Sequence, residues 1–146
     1  MDADLLRRPR SFLPRDGAAQ DFDDGTIDAF TAYFDDDKDG YGSNGDDLIG
    51  LVPYWCQALP DTLFLSPDAP QPCDGVPYGR QWWPLTSLTP AARAAGVRVS
   101  APALHAYVDA QLATHGLSED KVALVGFSQG TMMALHVGPR RARSLA

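Results

Sequence analysis

Apolar and polar positions follow two rhythms along the chain, and the switches between them mark the elements. Val122-Ala123-Leu124-Val125 is an unbroken apolar run, the pattern of a strand buried on both faces. A small-residue turn, Gly126-Phe127-Ser128-Gln129-Gly130, follows it. Thr131-Met132-Met133-Ala134-Leu135 then opens an apolar helix that stops near Gly138-Pro139. Thr62-Leu63-Phe64-Leu65 reads as a second buried strand, ending at Ser66-Pro67. Between these strands the rhythm is helical. Thr89-Pro90 supplies a cap and a first-turn proline, and Val97, Ala101, Leu104, Val108 and Leu112 form one stripe up to His115-Gly116. Pro102 predicts a bend in that helix.

The first third is less regular. Residues 1 to 20 are punctuated by Arg and Pro and read as a loose leader. Ile27, Phe30 and Phe34 share a helical face, which predicts a short helix from Thr26 to Phe34. Leu48, Val52, Trp55 and Leu59 predict another, kinked at Pro53 or beginning there. Pro67 to Gly79 reads as a long Pro/Gly loop. Strand, helix and strand in succession predict an α/β fold with a parallel sheet.

Composition adds bounds. A chain of 146 residues with 45% hydrophobic content predicts one domain with a true core. The net charge of −7 is concentrated: Asp16 to Asp47 holds eleven aspartates against one lysine. Such a block repels nucleic acid and anionic membrane, so neither is expected as a partner. Cys56 and Cys73 lack the number and spacing for a disulfide framework or a metal site and read as reduced thiols. Arg7-Arg8 precedes acidic residues rather than the apolar run of an export signal, and no stretch approaches the ~20 apolar residues of a membrane span. A cytoplasmic location is expected.

The turn carries the chemistry. Gly126-Phe127-Ser128-Gln129-Gly130 is a G-x-S-x-G pentapeptide between strand and helix, the context of a nucleophile elbow. Ser128 is the candidate nucleophile, and the backbone N–H of Gln129 is the candidate first donor to an oxyanion. A serine also needs a histidine to take its proton and a carboxylate to orient that histidine. No Asp or Glu follows Ser128, and the only later histidine is His136. On a helix His136 lies roughly 12 Å along the axis from Ser128, too far to bond it. His105 and His115 read as structural.

The pentapeptide with Thr131-Met132-Met133-Ala134-Leu135, and upstream Gly40-Tyr41-Gly42-Ser43-Asn44-Gly45-Asp46-Asp47-Leu48, resembles the phospholipase/carboxylesterase family of α/β-hydrolases, which includes the acyl-protein thioesterases. Leu65 to Pro70 and Gly79 to Trp83 extend the resemblance, which runs from about Gly40 to the last residue. It implies a serine hydrolase that cleaves small-molecule esters or thioesters through an acyl-Ser128 intermediate, with no cofactor. It also implies that the Tyr41 N–H is the second oxyanion donor, and that Trp82 and Trp83 stand beside the substrate pocket.

By the same resemblance, the acid and histidine belong further along a longer chain. This one then reads as an N-terminal portion, truncated before them. Asp39 stands where the family has His, and acidic segments such as Asp35-Asp36-Asp37-Lys38 replace the apolar strand expected before it. The expected organisation is therefore an acidic leader, 1–39, and the N-terminal portion of an α/β-hydrolase domain, 40–146. Its sheet, flanked by helices, would be incomplete at the first central strand and in the C-terminal half. Exposed sheet edges predict self-association.

The acidic segment has a pattern of its own. Asp35, Asp37, Asp39, Gly40, Tyr41, Ser43 and Asp46 occupy positions 1, 3, 5, 6, 7, 9 and 12 of an EF-hand loop. The alternative reading is thus an inactive hydrolase segment carrying a calcium-binding loop. Against it, the twelfth position is Asp rather than the longer Glu, Gly42 replaces an apolar residue, and no second hand is present. A solvated acidic loop without metal is the expectation.

Overall fold

Segments from four parts of the chain meet in one sheet. A computed structural model describes residues 10–12, 29–34, 49–59, 61–73 and 75–145, the first two segments by their backbone alone. In chain order the elements are β1 (Arg10–Phe12), β2 (Ala29–Phe34), α1 (Val52–Trp55), β3 (Thr62–Ser66), β4 (Gln71–Pro72), β5 (Arg80–Gln81), α2 (Pro90–His115), β6 (Val122–Gly126) and α3 (Gln129–Val137). The main sheet has the order β1-β3-β2-β6. β2 runs parallel to both β3 and β6, and β1 is antiparallel on β3.

Two expectations for the first third need correction. The helix expected over Thr26 to Phe34 is strand β2 over Ala29–Phe34. The spacing of Ile27, Phe30 and Phe34 fits a helix, but Phe, Thr and Tyr favour strands, and a strand inserted between two parallel neighbours needs a continuous apolar run. β2 also occupies the place upstream of Gly40 where a strand was expected to be missing. The loose leader likewise contributes β1, so among the described residues two of this sheet's four strands come from before residue 40.

β3 explains the layering. All five of its residues are buried, with Leu63 and Leu65 in one cluster and Phe64 in another. Alternate side chains leave a strand on opposite faces, so this strand needs apolar cover on both sides. Leu63 and Leu65 meet Val97, Ala101, Leu104 and Val108 of α2 and Met133 and Val137 of α3. Phe64 meets Val52, Ile49 and Trp55 around α1. Each such side chain contributes about 1.5–3 kcal/mol when fully buried.

α2 begins and ends where its sequence signals stand. The Thr89 hydroxyl accepts from the Ala92 N–H at 3.3 Å, and Gly116 closes the helix at φ 64°. The helix runs through Pro102 without ending. α1 is a single turn with Pro53 at its start, and Leu59 is exposed beyond it. The expected loop after Pro67 contains a small hairpin of β4 and β5, held by the Arg80 guanidinium donating to the carbonyls of Ala69 and Pro70 at 2.8 and 2.7 Å.

Beyond α3, Arg141 fastens the chain back onto α2. Its side chain is 3% exposed and pairs with Asp109 at 2.5 Å and Glu119 at 2.7 Å. It also donates to the His105 carbonyl at 3.3 Å, and Glu119 accepts from the Arg143 N–H at 2.7 Å.

Candidate active site

β6 ends at Gly126 and α3 begins at Gln129, so Phe127 and Ser128 alone turn the chain from sheet to helix. Ser128 has φ 48° and ψ −117°, a conformation that costs a side-chain-bearing residue about 1–3 kcal/mol. The only other such residue among the described ones is Tyr78, at φ 68°. The tightness has a cause in the glycines. A Cβ on Gly126 would overlap the backbone of Gly130 and Thr131. With no side chain there, α3 starts directly against the end of β6. The Thr131 hydroxyl closes the turn by donating to the Gly126 carbonyl at 2.6 Å.

The turn leaves a serine beside unused donors. Ser128 is half-buried, and its hydroxyl makes no hydrogen bond among the described residues. The first helical bonds run from Thr131 N–H to the Phe127 carbonyl and from Met132 N–H to the Ser128 carbonyl. The N–H groups of Gln129 and Gly130 precede them, and neither has a partner among the described residues. Helix N-termini leave such donors over, and the helix dipole makes them suited to negative charge.

The Gln129 side chain points to a different segment. It is fully buried, its Oε1 accepts from the Trp82 N–H at 2.8 Å, and its Nε2 donates to the Trp83 carbonyl at 2.9 Å. The Trp82 carbonyl accepts from the Ser100 hydroxyl of α2 at 2.7 Å. Gly96, also on α2, stands so close to the Trp83 ring that a Cβ there would overlap it. Trp82 and Trp83, at 0% and 6% exposure, sit in the main core. It is their backbone that reaches the turn.

Sequence reasoning placed Gln129 at the site for its backbone and missed its side chain. The available signal was a large polar residue at the start of a mostly apolar helix. Ser100 and Thr131 gave no signal of their own.

β2 lies beside β6, with Phe34 opposite Gly126. The two strands are parallel, so the chain leaves β2 at the end of the sheet where Ser128 stands, the usual location of sites in parallel α/β sheets. Tyr41, and Asp35, Asp37, Asp39, Ser43 and Asp46 of the EF-hand-like pattern, lie outside the described residues. Among the described residues no cluster of His, Cys, Asp or Glu could hold a metal ion.

The histidines stand away from the turn in sequence and on other elements or turns of helix. His105 Nδ1 lies 3.4 Å from Arg141, and His115 is the last residue of α2. Burial lowers the pKa of His115. The His136 pKa is also lowered, first by burial and then by Arg140, Arg98 and His105. None of the three hydrogen-bonds Ser128.

A sheet of three parallel strands with one antiparallel edge strand, helices on both faces, and a strained serine between strand and helix are features of an α/β-hydrolase fold. The family model for phospholipase/carboxylesterase matches residues 39–145. Esterase YpfH of Escherichia coli (strain K12) is 31% identical over 96 residues, covering 66% of this chain and 41% of that protein. The crystal structure of esterase PE8 aligns with a TM-score of 0.78 at 36% identity, covering 94% of this chain and 59% of that one. The chain belongs to the phospholipase/carboxylesterase family, and it spans less than two thirds of the length of these relatives. No helix among the described residues is long and apolar enough to cross a membrane.

Proposed function

We propose that this chain carries the nucleophile and the first oxyanion donor of a serine esterase or thioesterase. The observation that carries the reading is Ser128 at φ 48° between β6 and α3, with the unpartnered Gln129 N–H next to it. In this reading the Ser128 hydroxyl attacks the carbonyl carbon of a small-molecule ester or thioester, its proton passing to water and on to the leaving oxygen or sulfur, and the carbonyl oxygen becomes an oxyanion held by the Gln129 N–H. Collapse expels the alcohol or thiol and leaves acyl-Ser128, which water then hydrolyses. The Tyr41 N–H is the proposed second donor, supported by the departure of β2 from the same sheet end. Trp82 and Trp83 act as the wall behind Gln129, beside the proposed acyl slot.

A base is required for turnover, and no histidine hydrogen-bonds Ser128 among the described residues. The chain alone is therefore expected to turn over slowly. The residual acceleration of an oxyanion hole and binding is about 10³–10⁴ over water. The reaction uses no metal or cofactor, and the free cysteines accord with a cytoplasmic location. The test is hydrolysis of p-nitrophenyl acetate and of an acyl thioester, compared with Ser128→Ala. Slow turnover that leaves an acyl group on Ser128, absent from Ser128→Ala, supports the reading, because the share of the rate owed to the oxyanion hole and binding survives loss of the serine. Robust turnover abolished by His105→Ala or His136→Ala would mean that the chain holds its own base. Tight calcium binding without any esterolysis would favour the alternative, an inactive scaffold with a calcium loop over Asp35 to Asp46.

A further inference from the structure

The geometry points to the Gln129 side chain as a positioning residue: its carboxamide, forked onto the Trp82 N–H and the Trp83 carbonyl, fixes the direction of its own backbone N–H toward the oxyanion. The inference rests on the Ser128 reading above and extends it to the group that holds the donor in place.

The fork is built as a clamp. Trp82 and Trp83 lie in a bend after β5, outside any strand ladder, so the Trp82 N–H and the Trp83 carbonyl need a partner from elsewhere. Gln129 supplies both halves at 2.8 and 2.9 Å from a fully buried position where water does not substitute. Two opposed bonds fix the amide plane and leave the side chain no free rotor. The clamped segment is itself immobilised by the Ser100 hydroxyl and by the closure of Gly96 on the Trp83 ring. On the other side of the turn, Thr131 bonds Gly126. The first residue of α3 is thus tied through its own side chain to a rigid part of the core. A donor must be held within about half an ångström of its working position, and a misplacement of roughly 1 Å costs about 10²-fold in rate.

The experiment measures the rate at which a small alkyl fluorophosphonate labels Ser128, by mass spectrometry, with the thermal transition recorded alongside. Gln129→Met keeps the length and removes both bonds. It should slow labelling by about 10- to 100-fold among molecules that still melt cooperatively. Gln129→Glu adds a readout that simple packing would not move. Its carboxylate accepts from the Trp82 N–H but repels the Trp83 carbonyl, whereas its protonated form restores both bonds. Labelling by Gln129→Glu relative to the parent at the same pH should therefore climb as the pH falls.

A flat ratio in folded Gln129→Glu, with the parent labelled, overturns the positioning role and leaves the Ser128 reading intact. A parent labelled no faster than Ser128→Ala overturns both. If neither Gln129 variant folds, Ser100→Ala decides, because it loosens Trp82 at one remove. A slowing of roughly two- to fivefold with the melt preserved supports the clamp, and an unchanged rate overturns it.

Discussion

Gly126 and Gly130 approach so closely that a methyl group on the first would occupy the carbonyl of the second. That contact lets α3 start with only two residues between it and β6 and forces Ser128 into its positive-φ conformation. Gly126→Ala must separate strand from helix or distort both. Overpacking of this kind costs about 1–3 kcal/mol, and here the displaced atoms are backbone, so the upper part of that range is expected. Urea denaturation should show the loss, together with reduced labelling of Ser128. A variant as stable and as reactive as the parent would show that the turn tolerates a wider crossing.

The Arg141 clamp predicts a second stability effect. Arg141→Met removes a guanidinium that is 3% exposed and pairs two carboxylates, and Glu119, 13% exposed, is left without that charge partner. Breaking a fully buried pair costs 3–5 kcal/mol, but Asp109 remains 65% exposed and adds little, so about 1–3 kcal/mol is expected. Chemical denaturation of Arg141→Met and Glu119→Gln measures it. Unchanged midpoints in both variants would show that the segment after α3 is not fastened there.

His115 gives the fold a pH dependence. Burial lowers its pKa in the folded state, so below the unfolded value of about 6.5 the unfolded chain binds more protons than the native one. The His115 contribution is complete above that value, falls as the pH drops through it, and levels off once the folded pKa is passed. His136, also lowered, adds in the same direction. His115→Gln should flatten the dependence of the thermal midpoint on pH between neutrality and mild acid. An identical slope in parent and variant would remove His115 as its source.

Among the described residues β6 pairs on one side only, with β2, and Val125 on it is 37% exposed. An open strand edge of this kind pairs with other chains. Light scattering on a sizing column should therefore find species larger than the 15.8 kDa monomer. A clean monomer with a sharp thermal transition would contradict that expectation.

What the sequence disclosed follows physical lines. β3, β6, α2 and α3 were legible because long apolar runs and stripes come with explicit end signals: Thr89-Pro90 before α2, Gly116 after it, Ser66-Pro67 after β3. β2 was misread because nine residues with apolar side chains at mixed spacing satisfy a helical template by coincidence, and only the neighbours on either side of the strand decide the matter. β1 has three residues and no periodicity to detect. Ser128 was legible because the pentapeptide carries local backbone geometry. The Gln129 fork was not, because it joins residues 46 and 47 positions apart and depends on which segment the fold brings to the helix start.

The claim that Ser128 is a nucleophile set beside an oxyanion donor is tested most directly by prolonged treatment of the intact chain with a fluorophosphonate, followed by peptide mapping. One phosphonyl adduct is expected, on the peptide that contains Ser128, and none on Ser128→Ala. An adduct on another residue, or equal labelling of Ser128→Ala, would contradict it.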